Sequence, residues 1–290
     1  MKKIYLESPY GVYYPCKNSS QTAMIYMLGP SRDGFLIKKG VRWLHKQGVN
    51  VLSLSFRKEN LGYHSYKMEE IGRAISYLKS KNQNKIGIVG GSITATIVLA
   101  CACKYPELSL VFALSPCDFY CQGYIRKKGE EIPVKESLLT WNDQPMPYLP
   151  YAYQNHDYWL ALKKESKETK NIIASKNMFT QSERLHPAVK IPVENIQGTV
   201  VFCAAQDDCL WDAVKYIHRM EKRLVRKNYV SILYETGTHF LFPQSMLGPL
   251  VDLAVFVFDN GRKHPFICHK NRVDLDKKLH SIFKKWKEQS

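Results

Sequence analysis

The segment KIGIVGGSITATIVLA, residues 85–100, sets Ser92 between an apolar run with strand character and an apolar run with helix character. A serine hydroxyl at such a strand-to-helix turn is the setting of a nucleophile elbow. The turn holds the serine backbone in a strained conformation, so the residues two before and two after it must be small. Gly90 meets this requirement, whereas Thr94, β-branched, stands where glycine is commonest. The same string also fits a plainer structure, a Gly-Gly-Ser turn in which Ser92 merely caps the helix.

A serine is too basic to attack a carbonyl unaided. A histidine must take its proton, and an acid must orient the imidazole and stabilise its charged form. Two later segments supply both, in the chain order serine, acid, histidine. GTVVFCAAQDDCLW, residues 198–211, is an apolar strand ending in Asp207 and Asp208, either of which can serve as the acid. YVSILYETGTHFLFP, residues 229–243, is a strand followed by a Thr-Gly-Thr turn that delivers His239. The remaining histidines fall on helices, loops or the tail, and none directly follows a core strand.

The oxyanion formed by attack needs fixed N–H donors where charge develops. One is the amide of Ile93, at the N-terminus of the helix after Ser92. The other is expected in MLGPSRDG, after the first core strand, from Gly29 or Ser31, since Pro30 has no N–H.

Positioning these groups is the work of an alternation of short apolar runs and amphipathic stretches from residue 23 to about 260, the pattern of a mostly parallel sheet with helices on both faces. Strands are predicted at Ala23 to Leu28, Asn50 to Leu54, Lys85 to Val89, Leu108 to Leu114, Gly198 to Cys203 and Tyr229 to Tyr234. Helices are predicted at Gly34 to Lys46, Lys67 to Lys81, Ile93 to Lys104, Trp211 to Arg226 and Ser245 to Asp259. The alternation stops between Cys121 and Ile191. We expect this insertion, about 121–190, to act as a cap over a pocket, with Trp141, Tyr148, Tyr151, Tyr153 and Trp159 as apolar lining. Within it, ALKKESKETKNIIASK reads as a charged helix. From Arg272 the tail reads as a basic amphipathic helix, about 272–288, whose stripe of Leu275, Leu279, Ile282, Phe283 and Trp286 should dock onto the domain rather than on a membrane.

The chain has 290 residues, of which 45% are hydrophobic and 12% aromatic, enough for one α/β domain over 1–290 with a sizeable core. No signal-peptide run or long apolar span appears, so a cytoplasmic, soluble protein is expected. The eight cysteines show neither C-x-x-C pairs nor zinc spacing, which points to reduced core thiols and no metal. The formal charge of +16 favours anionic partners, but the lysines are scattered and no nucleic-acid-binding motif accompanies them. GIVGGSITAT lacks the G-x-G-x-x-G spacing, and no cofactor is expected. Oligomeric state is left open.

With these motifs in view, the chain resembles the C-terminal domain shared by acyl-CoA thioester hydrolases and bile acid-CoA:amino acid N-acyltransferase, bacterial single-domain relatives being most alike. The likeness runs from about residue 20 to 260 and rests on IGIVGGSITAT, PELSLVFALSPCDF, IPVENIQG, AQDDCLW and ETGTHF. It implies the α/β-hydrolase fold and, residue by residue, Ser92 as nucleophile, His239 as base and the second aspartate, Asp208, as acid. It further implies attack on an acyl thioester or ester through an acyl-serine, with transfer to water or to an amine. The missing glycine after Ser92 bears on efficiency. The animal enzymes' separate N-terminal β domain has no room here, which bears on substrate. Two readings compete with a thioesterase: a carboxylesterase or peptidase with the same triad, and a non-catalytic scaffold retained for binding.

Overall fold

The computed structural model of the chain describes residues 1–17, 21–29, 31–57, 62–226 and 228–289. Its first half comprises β1 (Ile4–Glu7), β2 (Tyr10–Tyr14), β3 (Thr22–Met27), α1 (Phe35–Lys46), β4 (Asn50–Leu54), the short β5 (Gly62–Tyr63) and β6 (Tyr66–Lys67), α2 (Glu69–Ser80), β7 (Lys85–Gly91), α3 (Ile93–Ala102) and β8 (Leu108–Leu114). An insertion follows with β9 (Gln122–Lys127), β10 (Glu130–Ser137), β11 (Leu139–Trp141), β12 (Gln144–Pro145), α4 (Asn155–Glu168) and α5 (Lys176–Leu185). The fold closes with β13 (Thr199–Ala205), α6 (Ala213–Glu221), β14 (Tyr229–Tyr234), α7 (Gln244–Leu247), α8 (Pro249–Ala254), α9 (Asp259–Lys263) and α10 (Pro265–Glu288).

One eight-stranded sheet, in the order β1-β2-β4-β3-β7-β8-β13-β14, organises these elements. From β4 to β14 the neighbours pair in parallel, and only the N-terminal hairpin joins antiparallel, through β2 on β4. Successive residues of a strand face opposite sides. Accordingly Ile25 and Met27 pack with α2, α3 and α6 on one face, whereas Met24 and Tyr26 pack with α1 and α10 on the other. Both faces being covered, the central strands read as unbroken apolar runs. The α/β reading of the sequence is thereby borne out, with Asn50–Leu54, Leu108–Leu114 and Tyr229–Tyr234 at the predicted bounds.

One element went unread and three readings need correction. The N-terminal hairpin went unread, because a tyrosine-rich edge pair has no helical partner to announce it. Lys67, placed at the start of a helix, instead belongs with Tyr66 to a strand that pairs with β11, and α2 starts at Glu69. The helix over Trp211–Arg226 shortens to α6: the Asp212 carboxylate accepts from the Lys215 N–H at 3.3 Å and caps its start, and it ends at Glu221. The helix over Ser245–Asp259 is broken: Gly248 adopts φ +65° and Pro249 cannot continue the preceding hydrogen bonding.

The terminal helix begins at Pro265, upstream of the predicted start. Leu275, Leu279, Phe283 and Trp286 are buried on the sheet, Ile282 is half-buried beside them, and the Trp286 indole N–H donates to Ser109 Oγ at 2.9 Å. No helix among the described residues is long and apolar enough to cross a membrane.

Candidate active site

The carboxyl edge of the parallel sheet is where strand ends release side chains into a crevice. Ser92 follows β7 directly, with φ 58° and ψ −129°, a conformation that costs a non-glycine residue about 1–3 kcal/mol. Two things hold it: its N–H donates to the Leu114 carbonyl at 2.8 Å, and its own carbonyl accepts from Ala95 at 2.9 Å, opening α3. Close passage of the helix over the strand explains Gly90, since a Cβ there would lie 2.4 Å from the Thr94 carbonyl oxygen.

Thr94 does not obstruct the turn. Its side chain lies against the end of β3, where Oγ1 accepts from the Gly91 N–H at 3.0 Å and lies 2.7 Å from the Met27 carbonyl, to which it donates. Met27 and Gly90 are the last paired residues of β3 and β7, so the hydroxyl joins the two strand ends beyond their own ladder. The expected steric penalty is therefore absent, and a hydroxyl replaces the commoner glycine as a clamp. Thr94→Val, which keeps the shape and removes the hydroxyl, should cost about 1–3 kcal/mol in urea unfolding by leaving a buried donor and acceptor unpaired. Thr94→Ser should retain most of that stability.

Asp208 and His239 come from the ends of β13 and β14. The His239 imidazole Nδ1 lies 2.7 Å from Asp208 Oδ2, and both side chains are buried. The other carboxylate oxygen, Oδ1, accepts from the Leu210 N–H at 2.9 Å, which fixes the orientation of the group. Asp207 is exposed, and its backbone carbonyl meets Asn260 Nδ2 at 3.3 Å in a polar cleft on the other side. Nε2 of His239 is buried with no hydrogen-bond partner among the described residues.

Two residues that the sequence reading did not single out hold the histidine. Ser115, directly after β8, donates from Oγ to the His239 carbonyl at 2.9 Å. Trp211 donates its indole N–H to the Ser115 carbonyl at 3.0 Å and sets its ring edge-on to the imidazole at 5.1 Å. Ser115 occupies a strand end on the same edge as Ser92, and that position is the signal by which it could have been found.

Ser92 and His239 line one cavity of about 300 Å3, at the lower end of ligand-site sizes. Ile93 and Gly29 line it as well. As the first residue of α3, Ile93 has an N–H with no partner inside the helix, and Gly29 has φ +80° at the turn after β3. Ser31, the alternative donor, does not line the cavity; its Oγ accepts from the Asp33 N–H at 3.3 Å on the approach to α1. Pro30 lies outside the described residues.

The insertion supplies much of the remaining wall, through Tyr124, Tyr151, Tyr158, Leu162 and Phe179 among others. Of the aromatics expected there, Tyr151 alone lines the cavity. Trp141, Tyr148, Tyr153 and Trp159 are half-buried against the core, Trp141 edge-on to Tyr105 at 6.0 Å. The expected charged helix over ALKKESKETKNIIASK is two helices: α4 starts earlier and ends at Glu168, and α5 starts at Lys176.

No cysteine rivals the serine. All eight are free, and burial pushes the Cys103, Cys203 and Cys209 thiols up to about 12, so they stay protonated and unreactive. Among the described residues no group of three or more His, Cys, Asp or Glu is placed to hold a metal ion.

Among solved structures, the fold is similar to an esterase of Pyrococcus furiosus, with a TM-score of 0.54 and 14% identity over 95% of this chain and 85% of that one. It is also similar to a puromycin-hydrolyzing peptidase of Mycobacterium tuberculosis, with a TM-score of 0.57 and 10% identity over 100% of this chain but 39% of that one. At these identities the likeness establishes the α/β-hydrolase fold. The comparison with curated proteins found no match. The sequence profile described as BAAT / acyl-CoA thioester hydrolase C terminal matches residues 67–255, so the chain belongs to that family of esterase- and thioesterase-like hydrolases.

Proposed function

We propose that the chain is a serine hydrolase that cleaves acyl thioesters or esters through an acyl-serine, with Ser92 as nucleophile, His239 as base and Asp208 as acid. One observation carries this reading. A buried Asp–His pair at 2.7 Å leaves its Nε2 unpartnered, in the wall of the same cavity that holds a serine at φ 58°. A buried imidazole nitrogen without a partner costs stability, a cost that fits a nitrogen kept for a reacting group.

In the proposed mechanism, Ser92 Oγ bonds to the acyl carbon while its proton passes to His239 Nε2. Asp208 holds the Nδ1–H and stabilises the imidazolium. The Ile93 and Gly29 amides receive the oxyanion. Collapse expels the thiol or alcohol, protonated by His239, and water then repeats the sequence to release the acid and restore Ser92. The residues over 1–290 act in this scheme as one α/β-hydrolase domain, with the insertion of about 121–190 as the cap that excludes water.

Family membership favours an acyl-CoA thioester as substrate. A cavity of about 300 Å3 suits an acyl group, with the coenzyme outside, where the surplus of basic residues suits its phosphates. The Pyrococcus protein's description as an esterase favours a simple ester. The test is a fluorophosphonate probe with mass mapping, then a panel of acyl-CoA thioesters and 4-nitrophenyl esters. An adduct on Ser92 is expected, and the better substrate class decides between the two. A folded protein that takes no adduct would return the scaffold reading.

A further inference from the structure

Apart from Ser92, Thr94, Ser175 and His239, the cavity wall is apolar and aromatic except where a charged pair lines it. Among the described residues lining it, Arg126 is the one lysine or arginine and Glu131 the one carboxylate. They are directly opposed in the β9–β10 hairpin of the insertion, so their side chains share a face. Arg126 Nε and Nη2 both donate to Glu131 Oε1, at 3.1 and 2.8 Å. The Tyr63 and Tyr124 rings lie under the guanidinium at 5.4 and 6.0 Å, and Tyr124 shares Arg126's side of the strand. The guanidinium is thus fixed before any ligand arrives, while Nη1 makes no hydrogen bond to the described residues.

Which end of the pair faces the cavity decides its chemistry. The Arg126 side chain is 49% exposed and that of Glu131 only 14%, so the accessible pole is positive. A planar guanidinium with a free edge, held against aromatic rings, matches a carboxylate or phosphate oxygen better than any neutral group. A purely structural cross-strand pair would need neither the cavity position nor the open edge.

We infer that Arg126 is a specificity-determining residue that selects substrates carrying an anionic oxyacid group, carboxylate or phosphate, away from the scissile carbonyl. This rests on the hydrolase reading above. Glu131 orients the guanidinium and offsets part of its charge.

The test compares kcat/KM within two pairs of esters. The adipate monoester of 4-nitrophenol against the hexanoate ester places the anion on the acyl side, and 4-acetoxyphenyl phosphate against phenyl acetate places it on the leaving group. In at least one pair the anionic-to-neutral ratio should fall about tenfold or more in R126Q, and that pair identifies the side. In E131Q the same ratio should rise, because the guanidinium loses its competing anion. Neutral-ester turnover and a melting curve report the integrity of each variant. If R126Q does not fold, E131Q decides alone, and an unchanged or lower ratio overturns the inference. Ratios in R126Q equal to those of the wild type overturn it and leave the hydrolase reading standing. Failure of the wild type to turn over either neutral ester, with no adduct on Ser92, overturns both.

Discussion

Ser92→Ala should lower kcat for an activated ester by about 10^4- to 10^6-fold and abolish fluorophosphonate labelling, with the fold intact. The size follows from what the hydroxyl does in the proposed chemistry. Without Oγ no acyl-serine forms, and only the oxyanion donors and binding remain to act on a water molecule. Intact folding follows from the contacts. The hydrogen bonds that position residue 92 run from its backbone to Leu114 and Ala95, and alanine keeps both. Alanine also retains a Cβ at φ 58°, so the backbone strain is unchanged and urea unfolding should move by less than about 0.5 kcal/mol. Near-normal turnover in this variant would remove Ser92 from the mechanism.

The second large effect distinguishes adjacent aspartates. Asp208→Asn should lower kcat by about 10^3- to 10^4-fold, and Asp207→Asn by less than about threefold. The asymmetry has a geometric cause. Leu210 N–H donates to Asp208 Oδ1, so an asparagine in the same pose keeps its carbonyl oxygen there and turns its amide NH2 toward His239. That NH2 donates to Nδ1, which drives the imidazole proton to Nε2, and a protonated Nε2 cannot accept from serine. Asp207 is exposed at an open polar cleft and His239 Nδ1 is taken by Asp208, so neutralising Asp207 changes only a screened charge. The measurement is kcat for both variants on one ester, with melting curves. A reversed order would refute the acid assignment, and negligible effects from both would refute the triad.

The central strands were legible because they are buried on both faces and bounded by polar or glycine turns, and periodicity reports that directly. Asn50–Leu54 is an instance. The hairpin at Ile4–Tyr14 was not legible, because its pairing partner, β4, lies far along the chain and its own residues show no helix alternating with strand. The break at Gly248–Pro249 was in plain sight as a glycine-proline signal, but an apolar run on both sides suggested one continuous helix.

Serine, aspartate and histidine after strand ends on one edge of the sheet, in that chain order, were determined by the sequence alone. Local period sets where a strand stops, and parallel strands release their next residues at one edge. The motif order left Asp207 and Asp208 open, and the family likeness implied Asp208, which the structure pairs with His239. The clamp made by Thr94, the support from Ser115 and Trp211, and the choice of Tyr151 and Arg126 for the cavity wall were decided only by the tertiary structure. The direction a loop side chain takes depends on what the rest of the chain packs against it. Those contacts come from residues distant in sequence, where no local period records them.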